Sequence, residues 1–141
     1  MKVYIGNRSV DSPEYKNLTE VEMLKYIADD SECTSIILDG VLKGLAISEI
    51  PPVLNLIVSK LRNKGEIIIN DLDFDLLVFA HRKQNNLFEL NKMVESFGGF
   101  KSFITYELIS DVMKNFNNIQ LLSINIDNLE FRLTYQKSLW I

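Results

Sequence analysis

The chain has 141 residues, of which 47% are hydrophobic and 24% are charged, and its formal net charge is −4. This composition is typical of one globular domain spanning residues 1–141. Its apolar runs are far shorter than the roughly 20 residues that cross a bilayer, and the MKVYIG start lacks a signal peptide's apolar stretch. The single cysteine, Cys33, excludes an intramolecular disulfide, and we therefore predict a cytoplasmic protein with no membrane contact. Lysines and arginines are scattered rather than gathered in a basic stripe, so no nucleic-acid partner is expected.

Short strands and a helix are predicted for the first third of the chain. Residues 2–6 alternate weakly and end in Gly6, which suits a strand followed by a turn. Residues 15–18 form a second short extended segment. Thr19 and Glu22 match a capping box, which predicts a helix beginning there. Residues 35–38 form a compact apolar strand that Asp39 and Gly40 close.

The middle of the chain carries the clearest helical pattern. Ser48 is predicted to cap a helix with Pro51 and Pro52 in its first turn, where a missing N–H costs little. An apolar stripe follows at helical spacing, formed by Ile50, Leu54, Ile57 and Leu61. Residues 63–65, Asn-Lys-Gly, are predicted to end this helix, and residues 67–69 to form a strand buried on both faces. A further helix begins near Asp73 and is interrupted at Asn85 and Asn86.

The last third ends in a different pattern. After Gly98 and Gly99 we predict a short loop and then a helix over residues 106–115. Residues 119–126 and 129–136 are two strand-like runs joined by Asp127 and Asn128, a pair common in tight turns. The order of elements predicts an α/β protein with a mostly parallel sheet, helices on both faces and a C-terminal antiparallel hairpin.

Four segments resemble parts of class I S-adenosylmethionine-dependent methyltransferases, in the right order. Residues 35–45, SIILDGVLKGL, resemble the family's fourth strand and following turn, and residues 56–69, LIVSKLRNKGEIII, its helix-turn-strand segment. Residues 70–73, NDLD, stand where the family commonly has Pro-Asp-Leu-Asp, and residues 97–108, FGGFKSFITYEL, resemble a stretch near its C-terminus. The match is best to short members found among sugar- and envelope-modifying enzymes. The resemblance implies a Rossmann-like fold and S-adenosyl-L-methionine as cofactor.

The resemblance also implies which residues would hold that cofactor. Gly6 and Asn7 occupy the place of the Gly-rich turn after the first strand, although only one glycine is present. Glu20 is the candidate acid for the ribose hydroxyls, and Asp39 with Gly40 would lie at the ligand edge of the sheet. Each has an alternative interpretation: Gly6 and Asp39-Gly40 as ordinary turns, and Glu20 as a first-turn acid of a helix.

On the acceptor side, the resemblance implies Asp71 as the catalytic residue, with Asp73 and Lys101 as substrate-binding residues. Asp73 as a helix cap and Lys101 as exposed surface are the alternatives. Gly40, Lys43 and Gly44 stand where the family has His, Glu and His, which removes polar groups able to bind substrate or move protons. The only histidine, His81, has no partner at ligand spacing, so no metal site is expected.

Two functions therefore stay open. The first is methyl transfer to an unknown acceptor, a small molecule, glycan or protein. The second is a catalytically inactive protein that keeps the fold as a binding or assembly module. A different nucleotide-binding Rossmann protein is disfavoured, because the sequence has no Gly-x-Gly-x-x-Gly fingerprint. The apolar C-terminal residues Leu139, Trp140 and Ile141 favour a homodimer, and folding of this tail back onto the core is the alternative.

Overall fold

Six strands form one sheet in the computed structural model, which describes residues 1–83, 86–96 and 100–138. The strands are β1 (Lys2–Gly6), β2 (Tyr15–Leu18), β3 (Cys33–Asp39), β4 (Leu61–Leu72), β5 (Ile119–Asp127) and β6 (Glu130–Lys137). Their order across the sheet is β2-β1-β3-β4-β6-β5. The first four run parallel, and β6 is antiparallel to both β4 and β5. This confirms the predicted α/β class, its mostly parallel sheet and its C-terminal antiparallel hairpin.

Five helices accompany the sheet in the described residues: α1 (Leu24–Ile27), α2 (Ile50–Lys60), α3 (Phe74–Lys83), α4 (Leu87–Ser96) and α5 (Tyr106–Met113). None of them is long and apolar enough to cross a membrane. The predictions for Asn85, Gly98, Gly99 and residues 139–141 lie outside the described residues.

One face of the sheet carries the core. The register aligns Val3 with Ile36, Ile36 with Ile67, and Ile67 with Tyr135. Two residues further along each strand, a second aligned row crosses the same face, formed by Ile5, Leu38, Ile69 and Leu133. Since side chains alternate between the two faces of a strand, both rows point the same way. All eight side chains belong to one buried core, together with residues of α1, α2 and α5.

The opposite face of the sheet lies outside this core. Its middle row is Tyr4, Ile37, Ile68 and Thr134, and none of the four belongs to the shared core. Helices α1, α2 and α5 all contribute residues to the core and pack on the core side. The connection between β1 and β2 adds no helix, because residues 7–14 are fewer than the dozen or more of a usual helical crossover.

Three local predictions about helix ends are also wrong. Thr19 forms no capping box, because Glu20 takes the N-cap position of a short 3-10 turn and no side chain caps it. Ser48 does not cap α2, since it lies within a 3-10 turn and Glu49 is the N-cap. The helix ends at Lys60, before Asn63-Lys64-Gly65, and the chain passes directly into β4.

A buried lysine explains why α2 ends where it does. The Lys137 ammonium donates hydrogen bonds to the carbonyls of Val58 and Leu61, each at 2.8 Å. The Val58 carbonyl also accepts from the Leu61 N–H, so Lys137 adds to the hydrogen bonds at the point where α2 passes into β4. Burial lowers the pKa of Lys137, and Asp30 opposes that shift.

Candidate functional site

The candidate site lies at the carboxyl ends of β1, β2 and β3. From β1 the chain goes outward to the edge strand β2, and from β3 it goes the other way to β4. Gly6 and Asp39, which end β1 and β3, are directly paired. They therefore flank a topological switch point, where open α/β sheets form their ligand crevices.

A cleft of about 560 Å³ opens at this edge. Of the predicted site residues, it is lined by Gly6, Asn7, Glu20, Asp39, Gly40 and Lys101. A smaller cleft of about 260 Å³ adjoins it and is lined in part by Asn7, Asp39, Gly40 and Asp71. The structure thus brings together every predicted site residue except Asp73, which lines neither cleft.

Asp39 is held by two residues near the end of β1. Its Oδ2 accepts a hydrogen bond of 2.5 Å from the Tyr4 hydroxyl. The Arg8 guanidinium binds both carboxylate oxygens, with Nε donating to Oδ2 at 3.1 Å and Nη2 to Oδ1 at 3.0 Å. The pKa of Tyr4 is raised, chiefly by burial and in addition by the hydrogen bond to Asp39. The negative charge of Asp39 is therefore already paired within the chain.

The close approach of β1 and β3 explains why position 6 is a glycine. A Cβ at this position would lie 2.7 Å from the Asp39 carbonyl oxygen and 2.8 Å from the Tyr4 hydroxyl. The glycine lets β1 and β3 approach while Tyr4 reaches Asp39. This use of Gly6 does not depend on a bound ligand.

Asp71 is the best-anchored acid of the site. Its Oδ2 accepts from the backbone N–H groups of Leu42 and Lys43 at 3.1 and 3.3 Å, and its Oδ1 from that of Leu72 at 2.9 Å. The side chain has no exposed surface, and the Lys43 ammonium lies 3.8 Å from Oδ1. Burial raises the pKa of Asp71, while Lys43 and the three backbone donors oppose the shift. Asp71 therefore holds the turn after β3, and its catalytic role stays a prediction.

The turn after β3 is built around Gly40 and Lys43. Gly40 has a φ of +70°, a conformation that L side chains rarely adopt. Its N–H donates to the Asn70 carbonyl at 2.9 Å, and its own carbonyl accepts from the Lys43 ammonium at 2.9 Å. The 3-10 turn Leu42–Gly44 follows. Gly40 is thus required by the turn itself.

Asp73 and Lys101 serve the loops around the site. Asp73 is buried, and its two carboxylate oxygens accept from the backbone N–H groups of Leu76 and Tyr106, both at 3.1 Å. This is the helix-cap alternative for Asp73, and it links the first turns of α3 and α5. The Lys101 side chain is exposed, and its N–H donates to the Lys43 carbonyl at 2.9 Å. Their binding of a substrate stays a prediction.

Glu20 differs from the predicted site residues Asp39, Asp71 and Asp73 because it is exposed. It follows β2 directly and lines the larger cleft. The opposite wall is partly apolar, with the half-buried side chains of Val41, Leu45 and Val53. No cluster of three or more potential metal ligands occurs in the described residues. The cleft thus combines an apolar wall with exposed carboxylates, those of Glu20, Glu22 and Glu49.

Solved structures of methyltransferases share this fold. A SAM dependent methyltransferase from Archaeoglobus fulgidus superposes with a TM-score of 0.59 at 12% identity, covering 87% of this chain and 67% of that one. One from Methanosarcina mazei gives 0.60 at 12% identity, covering 89% and 67%. The magnesium protoporphyrin IX methyltransferase from Synechocystis, solved with bound SAH, gives 0.55 at 12% identity, covering 88% and 51%.

The chain therefore has the fold of class I S-adenosylmethionine-dependent methyltransferases. It spans between 33% and 72% of the length of the similar structures. No protein-family model and no curated protein matches its sequence. At this identity the likeness establishes the fold alone.

Proposed function

We propose that the chain binds S-adenosyl-L-methionine in the 560 Å³ cleft and is a methyltransferase of reduced size. The observation that carries the proposal is the position of the cleft, at the switch point between β1 and β3. Its volume lies in the range of about 300–1,000 Å³ that is usual for small-molecule sites. The methyltransferase fold of the chain supports the same choice of ligand.

The lining residues fit the parts of this cofactor. The exposed Glu20 carboxylate can accept hydrogen bonds from ribose hydroxyls, since an ionised carboxylate is acceptor-only. Val41, Leu45 and Val53 offer an apolar wall to the adenine ring. Asn7 and the turn around Gly40 would face the amino-acid end. Asp39 would line the cleft without offering a free carboxylate to the cofactor, because Tyr4 and Arg8 already donate hydrogen bonds to its oxygens.

When bound, the cofactor supplies a methyl group on an already reactive sulfonium. The chain then needs chiefly to hold an acceptor in line and keep water out, with a base only for a protonated acceptor. The adjoining 260 Å³ cleft, with Arg8, Lys43 and Glu130 among its lining residues, is our candidate acceptor position. The acceptor we propose is a small molecule, a glycan or a protein in the cytoplasm.

Calorimetric titration of the full chain with S-adenosylmethionine and S-adenosylhomocysteine tests the proposal. We expect saturable binding, and we expect Glu20→Gln to weaken it about tenfold or more, as for a lost hydrogen bond to a charged group. Glu107→Gln is the matched control, because Glu107 is an exposed acid in the first turn of α5 and lines no cleft at this edge. If neither ligand binds at millimolar concentration, the proposal fails.

The ion pair between Arg8 and Asp39 favours a second candidate function, a catalytically inactive binding or assembly module. Arg8 bridges the strand ends at which the family's Gly-rich turn would meet its cofactor. Titrating Arg8→Ala separates the two candidates. Binding by the variant but not by the wild-type chain would favour a site closed by Arg8, and equal binding by both would favour the methyltransferase.

A further inference from the structure

Strand β5 is an edge strand that lacks the usual protection against pairing with another chain. Within the described residues it pairs only with β6, on one side. The other edge strand, β2, has four residues, and its Lys16 and Asn17 are exposed. Natural proteins protect edges with short strands and charged side chains, because an edge presents unpaired N–H and C=O groups to other chains. Strand β2 has both kinds of protection, whereas β5 has nine residues.

The side chains of β5 add an apolar surface to this edge. Positions 119–126 contain no charged residue and no proline. Four apolar side chains in this stretch are 39–49% exposed: Leu121, Leu122, Ile124 and Ile126. Three of them lie opposite core residues of β6, with Leu121 paired to Tyr135, Ile124 to Leu133 and Ile126 to Phe131. The core face of the sheet therefore continues onto β5 and ends there exposed.

Area favours a second copy of this chain as the partner, and the charges along β5 do not oppose it. Each copy carries a net charge of −4, but no charged side chain lies between positions 119 and 126, so pairing there brings no like charges into contact. The chain exposes 8394 Å², whereas a compact monomer of 16.3 kDa exposes about 7,500 Å². This excess, to which the exposed apolar side chains of β5 contribute, is similar to the roughly 800 Å² that each partner contributes to a stable interface.

We propose that β5 pairs antiparallel with β5 of a second copy across a two-fold axis, which joins two sheets into one. A two-fold axis brings the same strand from both copies together, so one exposed edge suffices for both. Main-chain hydrogen bonds supply the pairing, and the apolar side chains of β5 are covered on both copies. The inference is independent of whether the cleft binds a cofactor.

Sedimentation of the full chain from about 1 to about 100 μM tests this pairing, since dimers dissociate on dilution. We expect the wild-type chain to approach twice its 16.3 kDa mass, and Ile124→Lys to stay monomeric at concentrations at least tenfold higher. The matched control is Ile47→Lys, because Ile47 is 56% exposed but lies in the 3-10 turn before α2. It should dimerise like the wild-type chain.

Hydrogen exchange of the β5 amides provides the second readout. Outward-facing amides of β5 should be protected in the wild-type chain and should exchange fast in the monomeric variant. If Ile124→Lys does not fold, Leu122→Lys replaces it, because Leu122 is 46% exposed on the same strand. A wild-type chain that is monomeric at every concentration overturns the proposal, and so does a folded lysine variant that still dimerises.

Discussion

Replacing Asp71 by alanine tests whether this residue holds the turn after β3 or serves a substrate. The carboxylate accepts three backbone hydrogen bonds, and those from Leu42 and Leu72 are buried. A buried donor left without a partner costs about 1–3 kcal/mol. Two such donors imply about 2–6 kcal/mol, and removing the cost of burying the carboxylate itself offsets part of this. We expect a net loss of roughly 2–4 kcal/mol.

This loss translates into a measurable shift in melting temperature. Unfolding entropy near 60 °C is about 2.1 cal/mol/K per residue, or about 0.3 kcal/mol/K for 141 residues. The alanine variant should therefore melt roughly 7–13 °C below the wild-type chain in calorimetry. Asp71→Asn should fall between them, because one amide oxygen can replace only one of the two carboxylate oxygens.

The control is Asp75→Ala, since Asp75 is an exposed acid in the first turn of α3. Its loss should cost less than about 1 kcal/mol. An Asp71→Ala chain whose free energy of unfolding lies within about 1 kcal/mol of wild type would refute the reasoning. A residue that acts only on a substrate would give that result, and Asp71 would then regain its predicted catalytic role.

Two further predictions concern the contacts between β1 and β3. Gly6→Ala should lower the free energy of unfolding by about 1–3 kcal/mol in urea, because its Cβ would meet the Asp39 carbonyl oxygen at 2.7 Å. The control Gly44→Ala, whose Cβ would meet nothing within 4 Å, should change it by less than about 0.5 kcal/mol. Equal losses of stability in the two variants would contradict this account. The raised pKa of Tyr4 implies that stability is retained below pH 10 and falls as the pH rises through the folded-state pKa, because the unfolded chain releases the proton first. Tyr4→Phe should be less stable than the wild-type chain at neutral pH and should lose less stability between about pH 9 and 11, as followed by chemical denaturation at each pH. If the two chains lose stability in parallel as the pH rises, the pH dependence does not come from Tyr4.

Much of the fold could be predicted because local signals agree with the final packing. Residues 2–6 and 15–18 are strands with the predicted bounds, and Pro51 and Pro52 do lie in the first turn of α2. The end of α2 could not be predicted, because Lys64-Gly65 looks like a helix cap. Gly65 is instead required within β4, where a Cβ would lie 2.8 Å from the Cys33 carbonyl oxygen. The part of that constraint that comes from the neighbouring strand leaves no local signal.

For the candidate site too, local features could be predicted and long-range contacts could not. Positions at the ends of strands could be predicted, because the carboxyl ends of parallel strands meet at one edge. The partners of those residues could not be predicted. Arg8 and Asp39 are 31 positions apart, and Asp73 and Tyr106 are 33 apart. Tyr4, which the sequence did not single out as a site residue, becomes important only through the contact that it makes with Asp39.

The two sides of the cleft differ in the number of buried hydrogen bonds that hold them, and this difference bears on the choice between the two candidate functions. On the β3–β4 side, buried Asp71 and Asp73 together accept five backbone hydrogen bonds. On the β1–β2 side, a short connection replaces a helical crossover, and Arg8 with its largely exposed side chain bridges to Asp39. Because solvent surrounds Arg8, this ion pair contributes less to stability than the buried hydrogen bonds do, so selection for folding alone would retain the first side more strictly than the second. In the site that we propose, a cofactor would be held mainly through Glu20 and the apolar wall, and its amino-acid end would approach Arg8, which lines the adjoining cleft. Whether Arg8 leaves room for that end is the physical difference between the two functions that we propose, a working methyltransferase and a module that keeps only the fold.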